Sequence, residues 1–109
     1  MPPRAELLPG TLDLLILKAV SLGPLHGYGV SQRLATLSRG EFQVNPGSLF
    51  PSLYRLEQDG KLKAEWRASD NNRRAKYYAL TRAGRRQLES GVQGWQRLSA
   101  IVGSVLNET

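Results

Sequence analysis

The stretch Lys61-Leu62-Lys63-Ala64-Glu65-Trp66-Arg67-Ala68-Ser69-Asp70-Asn71-Asn72-Arg73-Arg74-Ala75-Lys76-Tyr77-Tyr78-Ala79-Leu80 reads as strand, turn, strand. Leu62, Ala64 and Trp66 alternate with Lys63, Glu65 and Arg67, the period of a half-buried strand. Ser69 to Arg73 is rich in turn formers, and Ala75 to Leu80 is a second β-prone run. Together they predict a β-hairpin with a basic tip. From Lys61 to Arg86 nine cations face two acids, a balance of +7, while the remaining residues of the +6 chain sum to −1. Charge segregated in this way makes a local positive potential that attracts polyanions, nucleic acid first among them. An anionic membrane fits less well, because no strongly apolar face accompanies the cations. A merely solvated charged hairpin is the plainer alternative.

Outward from the hairpin, the pattern turns helical. Asn45-Pro46 is an N-cap followed by proline at the first helical position, Leu49, Leu53 and Leu56 form a buried stripe, and Gly60 is the stop. Ser52, Arg55, Gln58 and Asp59 are assigned to the wet face. Pro51 leaves two readings open, a bent helix from Pro46 or a later start near Ser48. Upstream, Tyr28 to Leu37 carries Val30, Leu34 and Leu37 on one face. Thr11 is a plausible cap for a first helix ending near Leu22, with Leu12, Leu15, Ile16, Ala19 and Val20 at helical spacing. Residues 1–9 read as a flexible arm. Downstream, Thr81 can cap a last helix from Arg82 to Leu106. The expected fold is mainly α with a two-stranded β-hairpin: a winged helix-turn-helix over 10–81 followed by a long C-terminal helix over 82–109.

Composition narrows the function classes. A chain of 109 residues accommodates one modest core. It has no Cys and a single His, His26, which excludes thiolate chemistry and an all-His metal site within one chain, so neither metal nor cofactor is expected. The most apolar run, Leu12 to Leu22, contains Asp13 and Lys18 and falls short of the ~20 residues a membrane span needs. No secretory layout is evident, so a cytoplasmic chain away from membranes is expected. The acids are scattered without paired spacing, and His26 stands in a glycine-rich helix entrance without a neighbouring acid or nucleophile. It reads as a packing or hydrogen-bonding residue, and an enzyme is not expected.

Short helices followed by a basic hairpin suit double-stranded DNA, with the Asn45–Gly60 helix in the major groove and the hairpin on phosphates or in the adjacent minor groove. Asn45, Ser48 and Ser52 are candidates for base or phosphate contact, although Asn45 can equally be only a cap. Arg73 and Arg74, with Asn71 and Asn72, suit backbone or narrow-groove contacts; Lys76 and the Tyr77 hydroxyl are further candidates. Tyr28 is either a phosphate donor or a core tyrosine.

The last helix, 25 residues and ~38 Å long, exceeds the roughly 34 Å expected for a compact domain of this length, so part of it must project. Leu88, Val92, Trp95, Val102 and Leu106 follow four-three spacing, and Leu98, Ile101 and Val105 widen the stripe. A second copy of the chain is the economical partner. Trp95 should lean over Gly91, where no side chain fills the space. In a homodimer, two such rings, with Leu98 alongside, could frame a slot for a flat apolar effector; simple core packing of Trp95 is the alternative.

Three stretches, Leu25-His26-Gly27-Tyr28-Gly29, Gly47-Ser48-Leu49-Phe50-Pro51-Ser52-Leu53-Tyr54-Arg55-Leu56-Glu57 and Arg73-Arg74-Ala75-Lys76-Tyr77-Tyr78-Ala79-Leu80-Thr81, resemble the signatures of PadR-type transcriptional regulators over about residues 8 to 106. The resemblance implies a dimeric winged-helix repressor, often released by a small aromatic or toxic compound, and a short-subgroup member with a single C-terminal helix. Phe50 stands where many members have Tyr, which removes the basis for a hydroxyl contact at that DNA-facing position. An RNA- or protein-binding module without an effector is the competing reading.

Overall fold

The computed structural model describes residues 10–107. The arm expected over residues 1–9 lies outside the described residues, as do Glu108 and Thr109. Helix α1 (Thr11–Ser21) is the hub, burying Ile16, Leu17, Ala19 and Val20 on one side and part of Leu12, Leu14 and Leu15 on others. Its cap is Gly10, at φ 87°, so Thr11 is the first helical residue and makes no capping hydrogen bond.

Strand β1 (Leu25–His26) pairs antiparallel with the second hairpin strand, Leu25 opposite Tyr78 and His26 opposite Tyr77. The expected two-stranded hairpin is thus part of a three-stranded sheet. Helix α2 (Gly27–Leu37) begins where the His26 Nδ1 accepts the Gly29 N–H at 2.9 Å, so His26 is a side-chain N-cap. Val30 and Leu34 are buried, whereas Leu37, expected on the same face, is exposed in the last turn.

Helix α3 (Pro46–Gln58) starts at its earlier candidate residue: the Asn45 Oδ1 accepts the Gly47 N–H at 2.8 Å and Pro46 occupies the first turn. Pro51 lies inside the helix, where the carbonyl it leaves unpaired is that of the exposed Gly47, open to water. Leu49, Leu53 and Leu56 are buried as expected, but so is Ser52. Strands β2 (Leu62–Ala68) and β3 (Arg74–Leu80) run in register from Leu62↔Leu80 to Ala68↔Arg74, giving sheet order β1-β3-β2. Leu62 is buried and Ala64 half-buried, but Trp66 is exposed because the hairpin extends past the helices that cover its base.

Helix α4 (Arg82–Leu106) is capped by Thr81, whose Oγ1 accepts the Gly84 N–H at 2.9 Å. Leu88 is buried in the same core as α1 to α3, and Val92 packs against it. These two residues of the expected dimer stripe are therefore satisfied within their own chain. The remainder, Trp95, Leu98, Ile101, Val102, Val105 and Leu106, is exposed on a helix that stretches the molecule to 58 × 37 × 21 Å.

Candidate nucleic-acid interface

Helix α3 and the β2–β3 wing flank an open cleft of about 570 Å³ whose lining includes Tyr28, Phe50, Trp66, Arg73, Arg74 and Lys76. Two packing facts shape it. A Cβ at Gly27 would come within 2.5 Å of the Phe50 Cε1, so a side chain there would push the ring away from the start of α2, against which it now lies. The Lys76 Nζ lies 2.7 Å from the Glu57 Oε1, tying the wing to α3. The Glu57 hydrogen bond holds Lys76 above the ordinary ammonium range.

Of the expected contact residues, Phe50, Arg73 and Arg74 are exposed around this cleft, as is Tyr28, which is 66% exposed and is no core tyrosine; Asn45 and Ser48 are exposed at the start of α3 and do not line it. The Asn45 side-chain oxygen is engaged by its cap bond, leaving its amide N–H groups free to donate. Ser52, 7% exposed, faces the core and is not offered to a ligand on this surface. Lys76 is half-buried against Glu57, and Tyr77 is half-buried between the His26 ring, edge-on at 5.2 Å, and the Arg67 guanidinium, 4.0 Å from its ring centroid. His26 thus links α2 to the wing. Arg73 and Arg74 form no ion pair among the described residues; Arg74 lies 5.7 Å from the Trp66 ring centroid. The hairpin turn is held by Ser69, whose N–H donates to the Arg73 carbonyl at 2.7 Å and whose hydroxyl reaches the Asn71 Oδ1 at 2.6 Å. Asn72 takes a left-handed φ of 62° there, which fixes where the two arginines emerge.

Sequence reasoning missed Tyr54 and Trp66 as surface aromatics. Tyr54 stands seven residues after Gly47 and four after Phe50, which places it on the outer face of α3, and it is 62% exposed. Arg55, on the opposite flank, bridges to α1 with its Nη2 2.6 Å and 2.7 Å from the two Asp13 carboxylate oxygens. Asp13 holds the guanidinium above its ordinary range through that hydrogen bond.

A second hollow, of about 310 Å³, lies between the start of α1 and α4 and brings Gly91, Trp95 and Leu98 together with Leu14 and Asp13. The space over Gly91 is filled by Leu14, since a Cβ there would meet the Leu14 Cδ1 at 2.8 Å. Trp95 is 49% exposed and does not pack into the core of its own chain. Among the described residues no group of three His, Cys, Asp or Glu side chains could hold a metal, and no helix is long and apolar enough to cross a membrane.

Residues 16–90 match the transcriptional regulator PadR-like family. A transcriptional regulator of Mycobacterium tuberculosis is 38% identical over 89 residues, covering 82% of this chain and 79% of the relative. Among solved structures, a PadR-like transcriptional regulator from Bacillus cereus superposes with a TM-score of 0.79 at 30% identity, covering 92% of this chain and 95% of that one. A PadR family transcriptional regulator from Eggerthella lenta gives 0.77 at 30% identity, covering 92% and 85%.

Proposed function

This chain belongs to the PadR-like family of transcriptional regulators, and from that premise we propose that it is a homodimeric repressor that binds double-stranded DNA sequence-specifically and releases it when a small, flat aromatic effector enters the hollow beside Trp95. The observation that carries the proposal is the exposed outer face of α3 beside wing arginines that no acid among the described residues neutralises. Such a surface meets a helical polyanion with complementary charge and a helix free to enter the major groove. Asn45 and Ser48 face bases or phosphates at the start of α3, Tyr28 donates to a phosphate from the start of α2, and Arg73 and Arg74 grip the backbone. Lys76 and Tyr77 act in second rank, the first already bonded to Glu57 and the second half-buried.

The exposed apolar run from Trp95 to Leu106 supports a two-fold partner, because two chains joined there would bury a continuous stripe and hold two α3 helices on one side of a duplex. Such a regulator works in the cytoplasm with the DNA it controls.

The test is a salt titration of duplex binding, with matched A-form RNA as competitor and the mass of the free protein measured by sedimentation. If a dimer covers about eight phosphates, log affinity falls against log salt with a slope near −7. Equal affinity for RNA would favour the RNA-binding alternative, and a monomer at micromolar concentration would exclude the two-fold arrangement. For the effector, Trp66→Phe leaves Trp95 as the single tryptophan, and its fluorescence is titrated with planar aromatics. No saturable quenching across a varied panel would remove the effector from the proposal.

A further inference from the structure

Helix α3 carries two charged side chains, Arg55 and Glu57, and both are engaged within the chain, by Asp13 and Lys76 respectively. Its outer face, opposite Leu49, Leu53 and Leu56, consists of Gly47, Pro51, Tyr54 and Gln58, with Phe50 toward the wing. No free cation on this face can address guanine O6 and N7, the commonest specific contact in the major groove. What the face offers is ring surface: Phe50 is 50% exposed and Tyr54 62%. The one apolar group that a base pair presents in the major groove is the thymine 5-methyl. We propose that Phe50 and Tyr54 determine the site by packing against thymine methyl groups of neighbouring base pairs.

This deepens the duplex-binding function proposed above and rests on it. Three further observations support it. The two residues stand at i and i+4, their Cβ atoms about 6 Å apart, a span that covers two neighbouring base pairs at 3.4 Å rise. Phe50 lies over Gly27, where a Cβ would approach its Cε1 to 2.5 Å, so one edge of the ring packs on the start of α2 while half of the residue stays exposed. The wing cations beside the face supply charge complementarity to a duplex. An exposed aromatic pair flanked by arginines therefore finds in DNA both the polyanion and the apolar groups that match it.

The experiment starts from duplexes enriched from a random library by the full chain. In the tightest of them each thymine is replaced in turn by deoxyuridine, which removes the methyl and preserves every hydrogen bond. Loss of about four-fold in affinity is expected for each contacted methyl, from the burial of one methyl-sized group. In Phe50→Ala and Tyr54→Ala the ratio between thymine and uracil duplexes falls toward one at the position each residue covers, with far-UV circular dichroism verifying that the exposed substitutions leave the fold intact. An enriched duplex that binds equally well when every thymine is uracil would overturn the proposal and leave the duplex-binding function standing. A methyl dependence that persists in both variants would overturn the assignment to these residues. Failure to enrich any duplex would remove the function on which the proposal rests, and the proposal with it.

Discussion

Gly84→Ala separates steric fit from helix propensity at the joint between the wing and α4. In a helix interior Ala is favoured over Gly by about 1 kcal/mol, and on that ground alone the variant would be the more stable. The structure reverses the sign. A Cβ at Gly84 would lie 2.0 Å from the Lys61 carbonyl oxygen and 2.9 Å from the Leu80 Cδ1. Restoring ordinary contact requires the first turn of α4, or the entry to β2, to move by about 1 Å, which overpacking of this kind resists by roughly 1–3 kcal/mol. The same Lys61 carbonyl accepts the Thr81 N–H at 3.2 Å and lies 3.0 Å from the Thr81 hydroxyl, and Thr81 caps α4. Each hydrogen bond given up costs about 1 kcal/mol. The net expectation is a loss of about 2 kcal/mol, or ~10 °C in Tm for a domain of this size. Urea unfolding followed by far-UV circular dichroism measures it, at one fixed protein concentration so that any self-association contributes equally. Gly94→Ala in the same helix, with nothing within 4 Å of its Cβ, provides the opposite case and gains up to about 1 kcal/mol. A Gly84→Ala protein as stable as the parent would refute the close approach of α4 to Lys61.

Three further outcomes are expected. Replacing Arg73 and Arg74 by Ala removes four cations from a dimer and makes the salt slope of duplex binding shallower by about 3.5; an unchanged slope would take the wing out of the contact. Glu57→Gln breaks the half-buried, solvent-accessible Lys76–Glu57 pair and lowers stability by about 1 kcal/mol or less. Because Glu57 raises Lys76 in the folded state above its usual 10.5, that difference is present at neutral pH and disappears as pH rises through the raised value, so the urea midpoints of parent and variant should converge in strongly alkaline buffer. His26→Ala deprives α2 of its cap and costs about 1 kcal/mol, while His26→Asn, which keeps an acceptor near the Gly29 N–H, restores most of it in the same unfolding assay.

The long elements were legible because their ends are marked by chemistry: Asn45-Pro46 opens α3 and Thr81 opens α4, each by a side chain accepting from its own first turn. Strand β1 carried no such mark. Two residues have no period, and what makes Leu25-His26 a strand is pairing with Tyr77 and Tyr78, about fifty positions away. Ser52 was misplaced for a different reason. Standing three residues after Leu49 and four before Leu56, it falls by spacing alone within the buried arc of α3, and its polarity suggested otherwise. Trp66 and Leu37 show the converse: periodicity assigns a side chain to a face and is silent on whether anything covers that face. The same ambiguity runs along α4, where one stripe serves the chain's own core at Leu88 and Val92 and continues uncovered from Trp95 onward. The filling of the space over Gly91 depends on Leu14, from another helix, which no pattern within α4 could supply.

The neutral outer face of α3 has a physical consequence when set beside the cationic wing. A charge on that face would attract every phosphate alike, because the duplex backbone has the same charge whatever its sequence. On α3 both charges are matched within the chain: Asp13 holds Arg55 against α1, and Lys76 from the wing balances Glu57, whose bare carboxylate would repel phosphate. In the proposed complex the wing therefore supplies an attraction common to all sequences, and α3 adds contacts whose strength depends on the shape and apolar groups of the bases beneath it. Raising salt weakens the first and hardly touches the second, since counterion release accompanies phosphate contact and methyl burial releases none. Discrimination between duplexes in such an arrangement survives conditions under which total affinity falls steeply, because the two terms belong to different side chains on different elements.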